Sequence, residues 1–105
     1  MRDMEESVSK LIDIELENAN KKFPLFASEH EGYAVLLEEV EECDDEMATI
    51  QGNASYLWSA VKVNNSEWKR EAISTAYDAA LNLACEAIQV AAMCKKYEMF
   101  LDGKK

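Results

Sequence analysis

Residues 66–101 read SEWKREAISTAYDAALNLACEAIQVAAMCKKYEMFL, and whether this stretch is one helix decides the fold. Ser66 or Asn65 can cap a helix running from there towards Leu101. Ala76, Ala80, Leu83, Ala87, Ala91 and Cys94 recur every three or four residues, a small-residue stripe suited to close contact between helices. At ~1.5 Å per residue such a helix is roughly 50 Å long, more than the width of a compact domain of this size. It therefore either breaks or crosses into another subunit. Between Glu71 and Cys94 there is no Lys or Arg, so the helix is expected to be covered on most sides. On the opposite face Asp78, Asn82, Glu86 and Gln89 follow one another at intervals of four, four and three, a polar strip set in an apolar surface.

The preceding residues also carry helical spacing. Met4, Val8, Ile12, Leu16, Ala19 and Phe23 predict a first helix from about Asp3 to Lys22, ended by Pro24. Ser28 with Glu31 three residues later reads as a capping box opening a second helix, whose apolar line is Tyr33, Leu36, Val40, Cys43, Met47 and Ile50. Gly52 and Asn53 are expected to close or kink it. A short third helix through Tyr56, Leu57, Trp58, Ala60 and Val61 stops at the turn Asn64-Asn65-Ser66. The expected fold is all-α: a bundle of about four helices with a long C-terminal helix packing in an oligomer. It forms a single domain over residues 1–102, an N-terminal helix (1–22) on a core (28–102), with a frayed tail at 103–105.

The chain has 105 residues, 49% of them apolar, enough for a small core. Eleven Lys and Arg stand against 21 Asp and Glu, and a net charge of -10 repels a polyanionic backbone, so duplex nucleic acid is excluded as a partner. Small anionic nucleotides remain compatible with this charge where divalent cations sit between acidic side chains and phosphates. Cys43, Cys85 and Cys94 form no C-x-x-C pair, and with only His30 to assist they make no zinc site; reduced, mostly buried thiols are expected. The N-terminal residues lack the apolar run of a signal peptide, and no span has the length and apolarity to cross a membrane. These features place the chain in a cytoplasm.

Chemistry concentrates in two places, the acids Glu38, Glu39, Glu41 and Glu42 and the strip Asp78, Asn82, Glu86, Gln89. Two facing carboxylate helices would suit a metal-nucleotide site. An acidic run is also the ordinary composition of a solvated helix face. The later strip weighs more, because buried carboxylates cost several kcal/mol unless paired and that segment contains no cation. Trp58 and Trp68 could stack on a base, but beside Leu57, Val61 and Ile73 they read more readily as core. Lys62, Lys69 and Arg70 could meet phosphates or simply cover the surface.

Leu37-Glu38-Glu39-Val40-Glu41-Glu42-Cys43 resembles the E-E-x-x-E helix of the MazG-like all-α nucleoside triphosphate pyrophosphohydrolases. Glu86-Ala87-Ile88-Gln89-Val90 falls where that family has E-x-x-D. The likeness covers roughly residues 23–97 and extends to small MazG-like proteins of phages and prophages of Gram-positive bacteria, which would set the protein in the cytoplasm of a bacterial host. Aligning Val40 and Cys43 with the family's leucines selects Glu39 and Glu42 as the E-x-x-E pair, with Glu38 as the preceding acid; Glu38 and Glu41 are the competing register. The resemblance implies a helical homodimer or homotetramer whose carboxylates hold Mg2+ against a nucleotide's phosphates. Glu39, Glu42 and Glu86 would be the metal ligands and Glu38 the catalytic residue that orients the attacking water.

The chain departs from that family in two respects. Gln89 stands in place of the aspartate, exchanging an anionic ligand for a neutral amide, and the interval from Glu42 to Glu86 is long. Asp78 is a candidate metal ligand that could restore the charge, and Asn82, Gln89, Trp58 and Lys62 are candidate nucleotide contacts. The same substitution suits a second reading, a catalytically degenerate phage protein that sequesters a nucleotide immune signal, because neutral amides hydrogen-bond bases and sugars well. A third is a structural helical adaptor whose acids are all solvated.

Overall fold

The computed structural model describes residues 2–22 and 25–103, and among these the only regular elements are three α-helices: α1 (Arg2–Lys22), α2 (Glu29–Lys62) and α3 (Ser66–Gly103). Phe23 and Pro24, expected at the end of the first helix, and two residues of the expected tail lie outside the described residues.

The all-α expectation holds, but the count is three rather than four, because α2 continues through Gly52 and Asn53. A glycine in a helix interior costs only ~1 kcal/mol, and α2 has 34 residues over which its packing offsets that. Asn53 does not compete for a turn: its Nδ2 donates to the carbonyl of Thr49 at 2.9 Å, and the Thr49 hydroxyl donates to that of Asp45 at 3.2 Å. Nor does the last helix break. α3 has 38 residues, hence a length of about 57 Å, and Gly103 belongs to it.

The capping chemistry is local and explicit. Ser28 Oγ accepts from the Glu31 amide at 3.1 Å while the Glu31 carboxylate accepts from the Ala27 amide at 2.9 Å, a capping-box arrangement that fixes the start of α2. At its other end the Asn65 amide donates to the Ala60 carbonyl and the Asn64 amide to that of Val61, with Asn64 in the left-handed region at φ 53°. This is a Schellman closure, with asparagine in the position that glycine usually takes. Asn65 then caps α3, its Oδ1 accepting from the Trp68 amide at 3.0 Å.

Contacts divide the chain into two compact units. The first comprises the residues up to Val40 and those from Glu86 onwards, thus α1, the start of α2 and the end of α3. Its core is Phe26, Ala92 and Met93, against which Ile12, Leu16, Ala19, Val35, Leu36, Tyr97 and Phe100 pack. An exposed ion pair from Lys95 to Asp13, 2.8 Å long, ties α3 to α1 and is worth at most about 1 kcal/mol.

The second unit, Glu41–Cys85, buries only alanines, Ala60, Ala72 and Ala79, and the Tyr56 and Trp68 rings lie 6.3 Å apart. Small residues let the two helices approach closely, but they leave large side chains outside. Trp58 and Trp68, expected as core, are 60% and 44% exposed. Cys85 and Cys94, expected to be buried, are exposed free thiols, and Cys43 is half-buried.

Candidate functional site

Helical geometry puts Glu39 and Glu42 on one side of α2, since residues three apart are neighbours on a helix surface. Glu86 belongs, like Glu39, to the first unit. One carboxylate oxygen from each of Glu39, Glu42 and Glu86 lies within 4.8 Å of the other two. Glu38, about 100° round the helix from Glu39, is exposed, as is Glu41. Asp78 is not in the carboxylate group.

The donor set fits a hard divalent cation. Carboxylate oxygens are the ligands that magnesium and calcium take, and three of them converge here. Anions this close repel unless a countercharge lies between them. Glu86 Oε2 in addition is buried and, among the described residues, accepts no hydrogen bond. Such an acceptor is costly to leave without a partner.

Beside Glu39 the first unit contains a cavity of about 480 Å³. From α1 come Glu15, Asn18, Ala19 and Lys22, and Phe26 forms part of the wall. Glu31, Val35 and Glu39 face it from α2, and Gln89, Met93 and Lys96 from α3. Gln89 is therefore placed at a cavity that also contains one of the clustered acids. Asn82, Trp58 and Lys62 lie in the second unit and do not line it; there the Lys62 Nζ stands 5.7 Å from the Trp58 ring centroid.

Lys96 is the residue that sequence reading passed over. Only 4% exposed, it is the one buried charged residue among those described, and its Nζ lies 5.0 Å from the centroid of the Phe26 ring. Burial holds its ammonium below the ordinary lysine pKa, opposed by the field of Glu31. A signal for it existed: continuing the Glu86–Gln89 face along the helix by four and then three residues gives Met93 and Lys96.

Lowered titration in the fold sets a sign. Between the depressed folded pKa and the ordinary lysine value of 10.5, the unfolded chain binds the extra proton, so stability rises with pH through that window. Below it the cost of the buried charge is fully present. Lys96→Met should therefore stabilise the protein at pH 7 by about 1 kcal/mol, or ~4–8 °C in melting temperature. That advantage should shrink as the pH approaches 10, and thermal melts of both proteins across pH 7–10 check it.

No protein-family model, curated protein or solved structure matches the chain.

Proposed function

We propose that the chain is a MazG-like nucleotide pyrophosphohydrolase in which Glu39, Glu42 and Glu86 hold a divalent cation against the phosphates of a nucleoside triphosphate. The observation that carries this reading is the meeting of three carboxylate oxygens within 4.8 Å, beside a cavity large enough for a small ligand. A bound magnesium ion supplies neutralisation of the phosphate charge and a lowered pKa for water. The chain's own residues do the remainder: the three acids fix the phosphate end, and the cavity wall orients the nucleoside.

Non-catalytic sequestration of a nucleotide is the second reading, and the placement of Gln89 favours it. It lines the cavity together with Asn18, and neutral amides serve recognition better than magnesium binding. A screen for magnesium-dependent pyrophosphate release from common and modified nucleoside triphosphates and cyclic nucleotides, with denaturation to free bound ligand, separates the two. Pyrophosphate release is the expected result. Intact nucleotide recovered in stoichiometric amount without turnover would replace it with sequestration, and neither result would favour a structural adaptor.

The assembly in this reading is a homo-oligomer. The chain exposes 7668 Å², whereas a folded monomer of 11.9 kDa exposes ~5,900 Å² by the usual scaling. The excess, about 1,800 Å², falls within the range that one subunit of an obligate dimer covers. In the second unit Ile73, Tyr77 and Leu81, spaced by four along α3, are each more than half exposed. Light scattering should thus give a multiple of 11.9 kDa. Because each copy carries a charge of -10, added salt should tighten the association rather than weaken it. A monomeric mass at high salt and tens of micromolar protein would refute this assembly.

A further inference from the structure

We infer that the cavity bounded by Phe26 and Lys96 is a nucleobase pocket in which the Lys96 ammonium selects bases bearing a ring carbonyl oxygen over adenine. This rests on the nucleotide reading above and names its substrate class. Lys96 is 4% exposed, and among the described residues it makes no ion pair or hydrogen bond; its Nζ approaches the Phe26 ring and lies in the field of Glu31. An ammonium has three donors and no acceptor. With none of these donors met by a hydrogen bond among the described residues, a group entering the cavity can accept from it.

That group is better a base than a phosphate. Glu86, Gln89, Met93 and Lys96 follow one face of α3, so Lys96 lies about 15 Å along the helix from the carboxylate cluster that would hold the phosphates. The cavity wall sets Glu15, Glu31 and Glu39 against two cations, Lys22 and Lys96, so its net charge disfavours a phosphate. Apolar surface from Val35, Met93 and Phe26 suits a flat ring. The carboxylates can accept from ring or exocyclic N–H groups. Uracil, thymine, cytosine and guanine each offer an exocyclic carbonyl oxygen to an ammonium. Adenine has no carbonyl oxygen: its exocyclic group is an amino donor, as on its major-groove edge, and only its ring nitrogens can accept from the ammonium.

The test measures magnesium-dependent pyrophosphate release from dUTP, dTTP, dCTP, dGTP and dATP by the wild-type protein and by Lys96→Met. Calorimetric binding of the matching 5′-monophosphates accompanies it. The wild-type kcat/KM for dATP should fall roughly 10- to 100-fold below the others, the range of one hydrogen bond to a charged group. Lys96→Met should remove most of that gap through KM. Equal use of dATP by the wild type, or a loss in Lys96→Met that is the same for all five, would overturn the inference while leaving the pyrophosphohydrolase reading intact. Without turnover of any triphosphate that reading fails, and the monophosphates decide: weaker dAMP binding by wild type alone upholds the pocket, whereas base-independent or undetectable binding overturns it.

Discussion

Glu86→Gln should lower magnesium-dependent pyrophosphate release by at least ~100-fold, since altering even an outer-shell partner of a metal site commonly costs 10–100-fold. The variant should nevertheless fold, and without magnesium it should melt at a higher temperature than wild type. Glu86 contributes one of three carboxylate oxygens within 4.8 Å, and its Oε2 is buried with no hydrogen-bond partner among the described residues. Removing one negative charge relieves repulsion on the order of 1 kcal/mol at an exposed or half-buried position. Magnesium should reverse the ranking. A cation that binds only the folded protein stabilises it by ~2.7 kcal/mol at a hundredfold excess over its Kd, and Glu86→Gln forfeits most of that. Melting curves with and without magnesium, read beside circular dichroism and pyrophosphate release, give three outcomes to compare. A variant that kept either its activity or its magnesium-induced shift would remove Glu86 from the metal site, and Glu42→Gln examines the second ligand in the same way.

The carboxylates were visible in the sequence because their chemistry resides in residue type and spacing. Glu39 and Glu42 are neighbours on any helix, so only the arrival of Glu86 needed a tertiary structure. Helix ends were legible for a similar reason: Ser28, Glu31 and Asn65 act on amides within three or four residues of themselves. Gly52 misled because its local cost is small beside what a 34-residue helix gains by continuing. The tryptophans misled differently, since an apolar neighbourhood in sequence does not say whether another element comes close enough to cover it. Lys96 was legible as a position on the Glu86–Gln89 face but not as a buried charge. A lysine near the end of an acidic chain reads as surface, and its position becomes informative only when Phe26 and Glu31, some 65–70 residues earlier in the sequence, close around it.

Gly32→Ala and Gly52→Ala, two substitutions in one helix, should change stability in opposite directions. At Gly52 an added Cβ meets nothing within 4 Å, so the variant gains the ordinary helix preference for alanine, ~0.5–1 kcal/mol. Gly32 is buried, and a Cβ there would lie 2.8 Å from Tyr97 Cε2, 2.9 Å from Tyr97 Cδ2 and 3.0 Å from Phe26 Cδ2. Both rings belong to the packed core of the first unit, their centroids 6.0 Å apart, so neither can swing away as the tip of a flexible side chain would. Overpacking of this kind costs ~1–3 kcal/mol, more than the helix preference returns, and the melting temperature should drop by about 5–10 °C. The damage should also reach the cavity. Phe26 forms part of its wall beneath Lys96, so a ring displaced by the new methyl group changes the surface that a base would stack on. Gly32→Ala should consequently weaken monophosphate binding even at a temperature where circular dichroism reports full helicity, while Gly52→Ala leaves binding as it was. If Gly32→Ala proved as stabilising as Gly52→Ala, the close approach of Tyr97 and Phe26 to α2 would not exist in solution, and the cavity built on it would lose its wall.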